Sequence, residues 1–144
     1  MPQAGATRSP APGRRDFAHD DSGSSQVHAW TTLGDPTGSG KYWSFFTDTS
    51  QWTAGLVSTF EDRLTPSGTA VRRRAYTWTQ GPAGDPYISG VLLTADPGAA
   101  YQKQSQTTQV LDVYGNVTQT QLYDYGSLTT PVRTYTNTYQ SGHK

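Results

Sequence analysis

The chain is broken into short lengths by its turn residues. From Val27 to Tyr139, β-branched and aromatic runs are interrupted about every dozen residues by clusters of Gly, Pro, Asp or Asn. These clusters read GDPTGSG, DTSQ, TPSGT, GPAGDP, ADPGA, YGN and GSLTTP. Pro fixes φ, Gly supplies positive φ, and Asp bonds the backbone just ahead of it. The segments between them, 27–33, 41–47, 53–62, 70–80, 87–94, 100–114, 117–125 and 132–139, are the right length for strands. Joined by short turns, such strands form an antiparallel hairpin meander, so the predicted class is all-β. A helix is disfavoured throughout, because no apolar 3.6-residue period with caps occurs. Only residues 52–63 could hold a helical turn.

What the strands can bury is the next constraint. In segment 117–125, Val117, Gln119, Gln121, Tyr123 and Tyr125 share one face, and Thr118, Thr120, Leu122 and Asp124 the other. Neither face is strongly apolar, so burial specifies register weakly, and cross-strand pairs and turns must supply the rest. The whole chain is 33% apolar, against the roughly 45–50% usual in globular domains. Residues 1–25 go further, with Pro, Gly, Ala, Ser and scattered charge around a lone Phe17; this composition predicts a flexible tail. The β-hairpin region is then 26–140, followed by a short C-terminal tail, 141–144.

Charge and cysteine content narrow the partners. Eleven basic and eleven acidic residues cancel, which argues against nucleic acid or an anionic membrane as a partner. Without cysteine there is no disulfide framework or thiolate metal site. No window has the ~18 apolar residues of a membrane span, and the N-terminus has no signal-peptide pattern. The expectation is a cytosolic chain or an internal piece of a longer exported protein.

Each candidate for chemistry has a structural alternative. GDPTGSGKY, residues 34–42, approximates a phosphate-binding loop, but its first Gly is one residue too far from Gly40 and Tyr42 replaces the Ser/Thr ligand. A hairpin turn is the better reading. His19, His28 and His143 show no spacing that would aim two imidazoles at one metal ion. Asp112 and Asp124 could suggest an acid–base pair. A tight turn at Gly115 and Asn116 would set Asp124 opposite Thr107 and Asp112 opposite Gln119, which is too far apart. Arg72, Arg73 and Arg74 alternate faces in a strand and form no single patch. The four Trp and nine Tyr are core-forming first and sugar-stacking second. Asn116-Val117-Thr118 fits the N-glycosylation pattern. No catalytic, cofactor-binding or metal-binding residue is assigned, and no enzyme activity is expected.

Internal similarity points to repetition. Residues 62–78 (DRLTPSGTAVRRRAYTW) and 112–125 (DVYGNVTQTQLYDY) share an Asp, a Gly-containing turn, a Val-bearing strand and an aromatic-x-aromatic pair. A weaker copy runs through Gly126, Pro131, Val132 and Tyr135 to Tyr139. Within residues 111–126, Gly115-Asn116-Val117-Thr118, a polar strand and Tyr123-Asp124 resemble the YD repeat of RHS proteins. Residues 72–102 look like the linking sequence of bacterial RHS chains, and the resemblance covers about 56–140.

That resemblance implies hairpins that coil into a large hollow β-shell, often around a C-terminal toxin, exported or displayed at the cell surface. Asp112, Gly115, Asn116, Thr118, Tyr123, Asp124, Tyr125 and Gly126 would then be strand and turn specifiers. The chain is shorter than a closed shell, and no self-cleavage segment or toxin domain is identifiable in it. The resemblance therefore implies a non-catalytic shell segment whose partners are neighbouring repeats or an encapsulated toxin. The alternative is a self-contained β-sandwich that binds carbohydrate through exposed Trp and Tyr.

Overall fold

The structure is a computed structural model that describes residues 15–20 and 28–140. Among the described residues nine strands form one sheet: β1 (Asp16–His19), β2 (Trp30–Gly34), β3 (Gly40–Phe45), β4 (Val57–Arg63), β5 (Ala70–Gln80), β6 (Pro86–Ala95), β7 (Lys103–Leu111), β8 (Val117–Tyr123) and β9 (Arg133–Thr136). Their order in the sheet is their order in the chain, and every neighbouring pair is antiparallel. The described residues contain no helix. The all-β meander read from the turn rhythm is thus the fold, and it is a single open sheet. The self-contained sandwich is not the architecture of the described residues, because no second sheet faces the first.

Several boundaries differ from the sequence expectation. β1 lies inside the stretch read as a flexible tail; its four exposed residues are held by pairing with β2, Phe17 opposite Leu33. The remainder of that tail, 1–14 and 21–25, and the C-terminal tail 141–144 lie outside the described residues. Residues 100–102 belong to a loop and not to β7. Likewise 124 and 125 follow β8, because Asp124 already closes the next turn through its carbonyl and carboxylate. The suggested helical turn is a chain of i to i+3 turns, in which Gln51, Ala54 and Leu56 N–H donate to Asp48, Gln51 and Thr53 carbonyls before β4 begins.

No apolar side chain is buried among the described residues; the buried polar ones are Glu61, 4% exposed, and Thr94, 6%. A sheet without a second layer leaves both surfaces half-wet, so backbone ladders, turns and same-face pairs hold it together. Loop 64–69 lies across the sheet at β2 and β3. There Thr32 Oγ1 donates to the Pro66 carbonyl at 3.3 Å, and Pro66 rests on the Gly34–Gly40 pair. A Cβ on Gly40 would stand 2.4 Å from Pro66 Cα, so only glycine admits this crossing.

Candidate functional site

The hairpin that carries the sequence motif is a three-residue bulged loop between β7 and β8. Asp112 N–H donates to the Asn116 carbonyl at 2.9 Å, and Gly115 N–H donates to the Asp112 carbonyl at 3.1 Å. Gly115 sits at φ 82°, the left-handed position that such a loop requires. The Asp112 carboxylate organises the rest. Its Oδ1 accepts from Tyr114 N–H (2.8 Å) and Asn116 N–H (2.9 Å), and its Oδ2 accepts from Asn116 Nδ2 (3.0 Å). These donors, the Asn116 side chain foremost, hold the Asp112 pKa below the usual carboxylate range.

This loop corrects the expected register. Thr107 faces Leu122 and not Asp124, and Gln119 faces Val110 and not Asp112. The physical reason is the extra loop residue: the turn spans 113–115 and the pairing shifts by two positions, which keeps every side chain on its face. Asp112 and Asp124 end up at opposite ends of β8, roughly 23 Å apart at ~3.3 Å per strand residue. Asp124 caps its own turn, its carboxylate accepting from Tyr125 N–H at 2.7 Å and its carbonyl from Gly126 N–H at 2.8 Å. Thr118 Oγ1 donates to the Val110 carbonyl, and Tyr123 Oη donates to Gln121 Oε1. Tyr125 is half-exposed, and Gly126 has no positive φ and open space around it.

The same loop recurs elsewhere than the sequence repeat suggested. Loops 35–39 and 81–85 have the same two backbone bonds, with Gly38 and Gly84 at φ 94° and 83°. Asp35 plays the Asp112 part by accepting from Thr37 N–H and Oγ1, which lowers its pKa. Loop 64–69, aligned with 112–116 by sequence, is instead a longer turn, and Asp62 lies within β4. The aromatic pairs differ too: Tyr76 and Trp78 share a face inside β5, whereas Tyr125 lies beyond β8. GDPTGSGKY is a hairpin as expected, with Lys41 Nζ bound to Asp62 at 2.8 Å.

The two surfaces of the sheet differ in ways that single strands do not reveal. On one, Glu61 accepts from Arg73 Nε at 2.6 Å and Arg63 Nε at 2.7 Å, and the Arg63 guanidinium lies 3.7 Å from the Tyr42 ring centre. Burial opposes ionisation of Glu61, but the two arginines outweigh it and hold its pKa below the ordinary value. The same polar face continues through Thr94 and Gln104. On the other, Trp43 pairs with Phe60, Tyr76 with Val91 and Trp78 with Ile88, and Leu93 follows opposite Arg74. Trp43 and Phe60 rings are 5.1 Å apart, and Trp78 Nε1 donates to the Val57 carbonyl. Arg72 and Arg74 lie on this aromatic face and Arg73 on the polar one, as alternation demands.

Two further features, a histidine pair and a cleft, were not legible in the sequence. His19 and His28 stack edge-on at 4.8 Å beside Asp20, brought together by the first hairpin. No group of three or more potential metal ligands occurs among the described residues. Between loops 81–85 and 112–116 an open cleft of about 190 Å³ is lined by Pro82, Pro86, Tyr87, Leu111 and Tyr114. It is smaller than the ~300 Å³ at which small-molecule sites begin. The glycosylation pattern places Asn116 where its side-chain nitrogen is already donated to Asp112. No family model, no curated protein and no solved structure matches the chain.

Proposed function

We propose that this chain is a non-catalytic scaffold segment of the RHS/YD-repeat type, contributing strands to a larger β-shell in an exported or surface-displayed protein. The observation that carries this reading is a nine-stranded meander without a single buried apolar side chain among its described residues. Such a sheet is completed from outside, and its edges are the natural points of continuation. β9 offers one. Asn137 N–H donates inward to the Thr118 carbonyl, and alternation along the antiparallel ladder aims the N–H groups of Thr134 and Thr136 outward. Its partners are neighbouring repeats of a longer chain, with a toxin domain as the cargo such a shell encloses.

Thr134→Pro combined with Thr136→Pro tests this, because it removes outward donors and spares the bonds to β8. Edge-to-edge association of the full chain, followed by electron microscopy and light scattering, is expected to fall sharply. Unchanged lateral association would sink the scaffold reading. The carbohydrate alternative rests on the half-exposed Trp43 and Trp78, and it predicts tryptophan quenching by soluble glycans, which the scaffold does not.

A further inference from the structure

The aromatic face carries Trp43, Phe60, Tyr76, Trp78, Val91 and Leu93 on four adjacent strands, each half-buried. Arg74 stands between Phe60 and Leu93 on this face, and a soluble monomer seldom leaves an apolar surface of this extent uncovered. The cations around it are sorted by end, whereas carboxylates stand at both: Asp16, Asp35, Asp62, Asp96 and Asp124 share the cations' end. Hairpin alternation places loops 35–39, 64–69, 96–102 and 124–132 at one end, here called lower, and loops 46–56, 81–85 and 112–116, together with Asp20 after β1, at the upper end. Every lysine and arginine among the described residues lies in the lower half. One cross-strand row on the aromatic face reads Lys41, Asp62, Arg72, Ala95, Lys103, with Arg74 just above it and Arg133 beyond. The upper rim carries Asp20, Asp48, Asp85 and Asp112 and no described lysine or arginine.

We propose that a second copy of this chain covers the aromatic face, related by a two-fold axis across the strands, so that the cationic lower row of each copy meets the acidic upper rim of the other. Stacking with the ends aligned the other way would set cations against cations. Two sheets pack about 10 Å apart with strands within about 30° of alignment. The aromatic strands β3 to β6 alone cover roughly 440 Å² on each copy, and with the more polar β7 and β8 the overlap reaches roughly 650 Å², at ~4.8 Å per strand and ~3.3 Å per residue. That clears the ~1,000 Å² total expected of a specific interface. The contact uses a face and not an edge, so it stands independently of lateral strand addition.

The chain has no cysteine, which permits a direct test on the full-length protein. Arg72→Cys and Asp85→Cys variants are mixed under mild oxidation and compared with each alone. The expected result is a mixed disulfide dimer in excess of either homodimer, with association weakened as salt rises from about 0.05 M to about 0.5 M. A predominance of R72C homodimers would contradict the antiparallel stack. A monomer in sedimentation at high concentration would overturn the proposal. With the edges blocked by T134P/T136P a face-to-face dimer is expected to remain, and adding Val91→Glu, placed on the aromatic face, is expected to convert it to monomers; loss of all association with the prolines alone would assign it to the edges instead.

Discussion

At the residue scale, two glycines and one carboxylate carry much of the specification. Gly115 occupies the left-handed position of the motif loop, so Gly115→Ala is expected to cost about 1–2 kcal/mol, read as a shift in urea midpoint. Gly126→Ala, two strand-ends away with no positive φ and no near neighbour, should be close to neutral. Equal losses at both would contradict the assigned loop. Gly40→Ala forces Pro66 aside and is expected to cost about 1–3 kcal/mol. The pKa values of Asp35, Asp48, Asp112 and Glu61 are all lowered in the fold. Their contribution is therefore present above the ordinary carboxylate range, about pH 4, and is lost as pH falls through the lower folded values. The urea midpoint should drop between pH 5 and pH 2 to a smaller extent in D112N than in the parent, starting from a lower value. That Asp112 and Asp124 serve turns was legible in the sequence. That Asp112 binds the backbone four residues on, and so lengthens the loop, was not, because the choice between tight and bulged turns rests on three-dimensional closure.

At the scale of elements, the sheet is organised by pairs that cross several strands. Glu61 bridges Arg63 on its own strand and Arg73 on the next. Glu61→Gln is expected to cost about 1–3 kcal/mol at pH 7, since it replaces charge-assisted bonds by neutral ones in a site 5% exposed. The loss should shrink as pH falls below the ordinary glutamate range, about pH 4, because the unfolded chain takes up that proton before the folded one does; an equal loss at pH 3 and pH 7 would contradict an ionised Glu61. Strand existence was readable from turn rhythm, and the polar character of β8 from alternation. The aromatic face was not, because its members sit on four strands whose relative register depends on bulges at Thr77/Trp78 and Asp62/Arg63. β1 was missed because no apolar run announces it; pairing with β2 alone makes it a strand.

At the scale of the whole molecule, one consequence unites the edge and the face. A sheet whose described residues bury no apolar side chain has little to hold it against its conformational entropy unless other surfaces complete it. Anything that binds the folded sheet and not the unfolded chain raises stability with concentration. The most direct test is equilibrium urea unfolding of the full chain at several protein concentrations, followed together by tryptophan fluorescence and near-UV circular dichroism. A midpoint that climbs with concentration, with a broad transition at the most dilute, is the predicted result. A single sharp transition, coincident by both probes and independent of concentration, would mean that the sheet is sufficient by itself and would contradict the account.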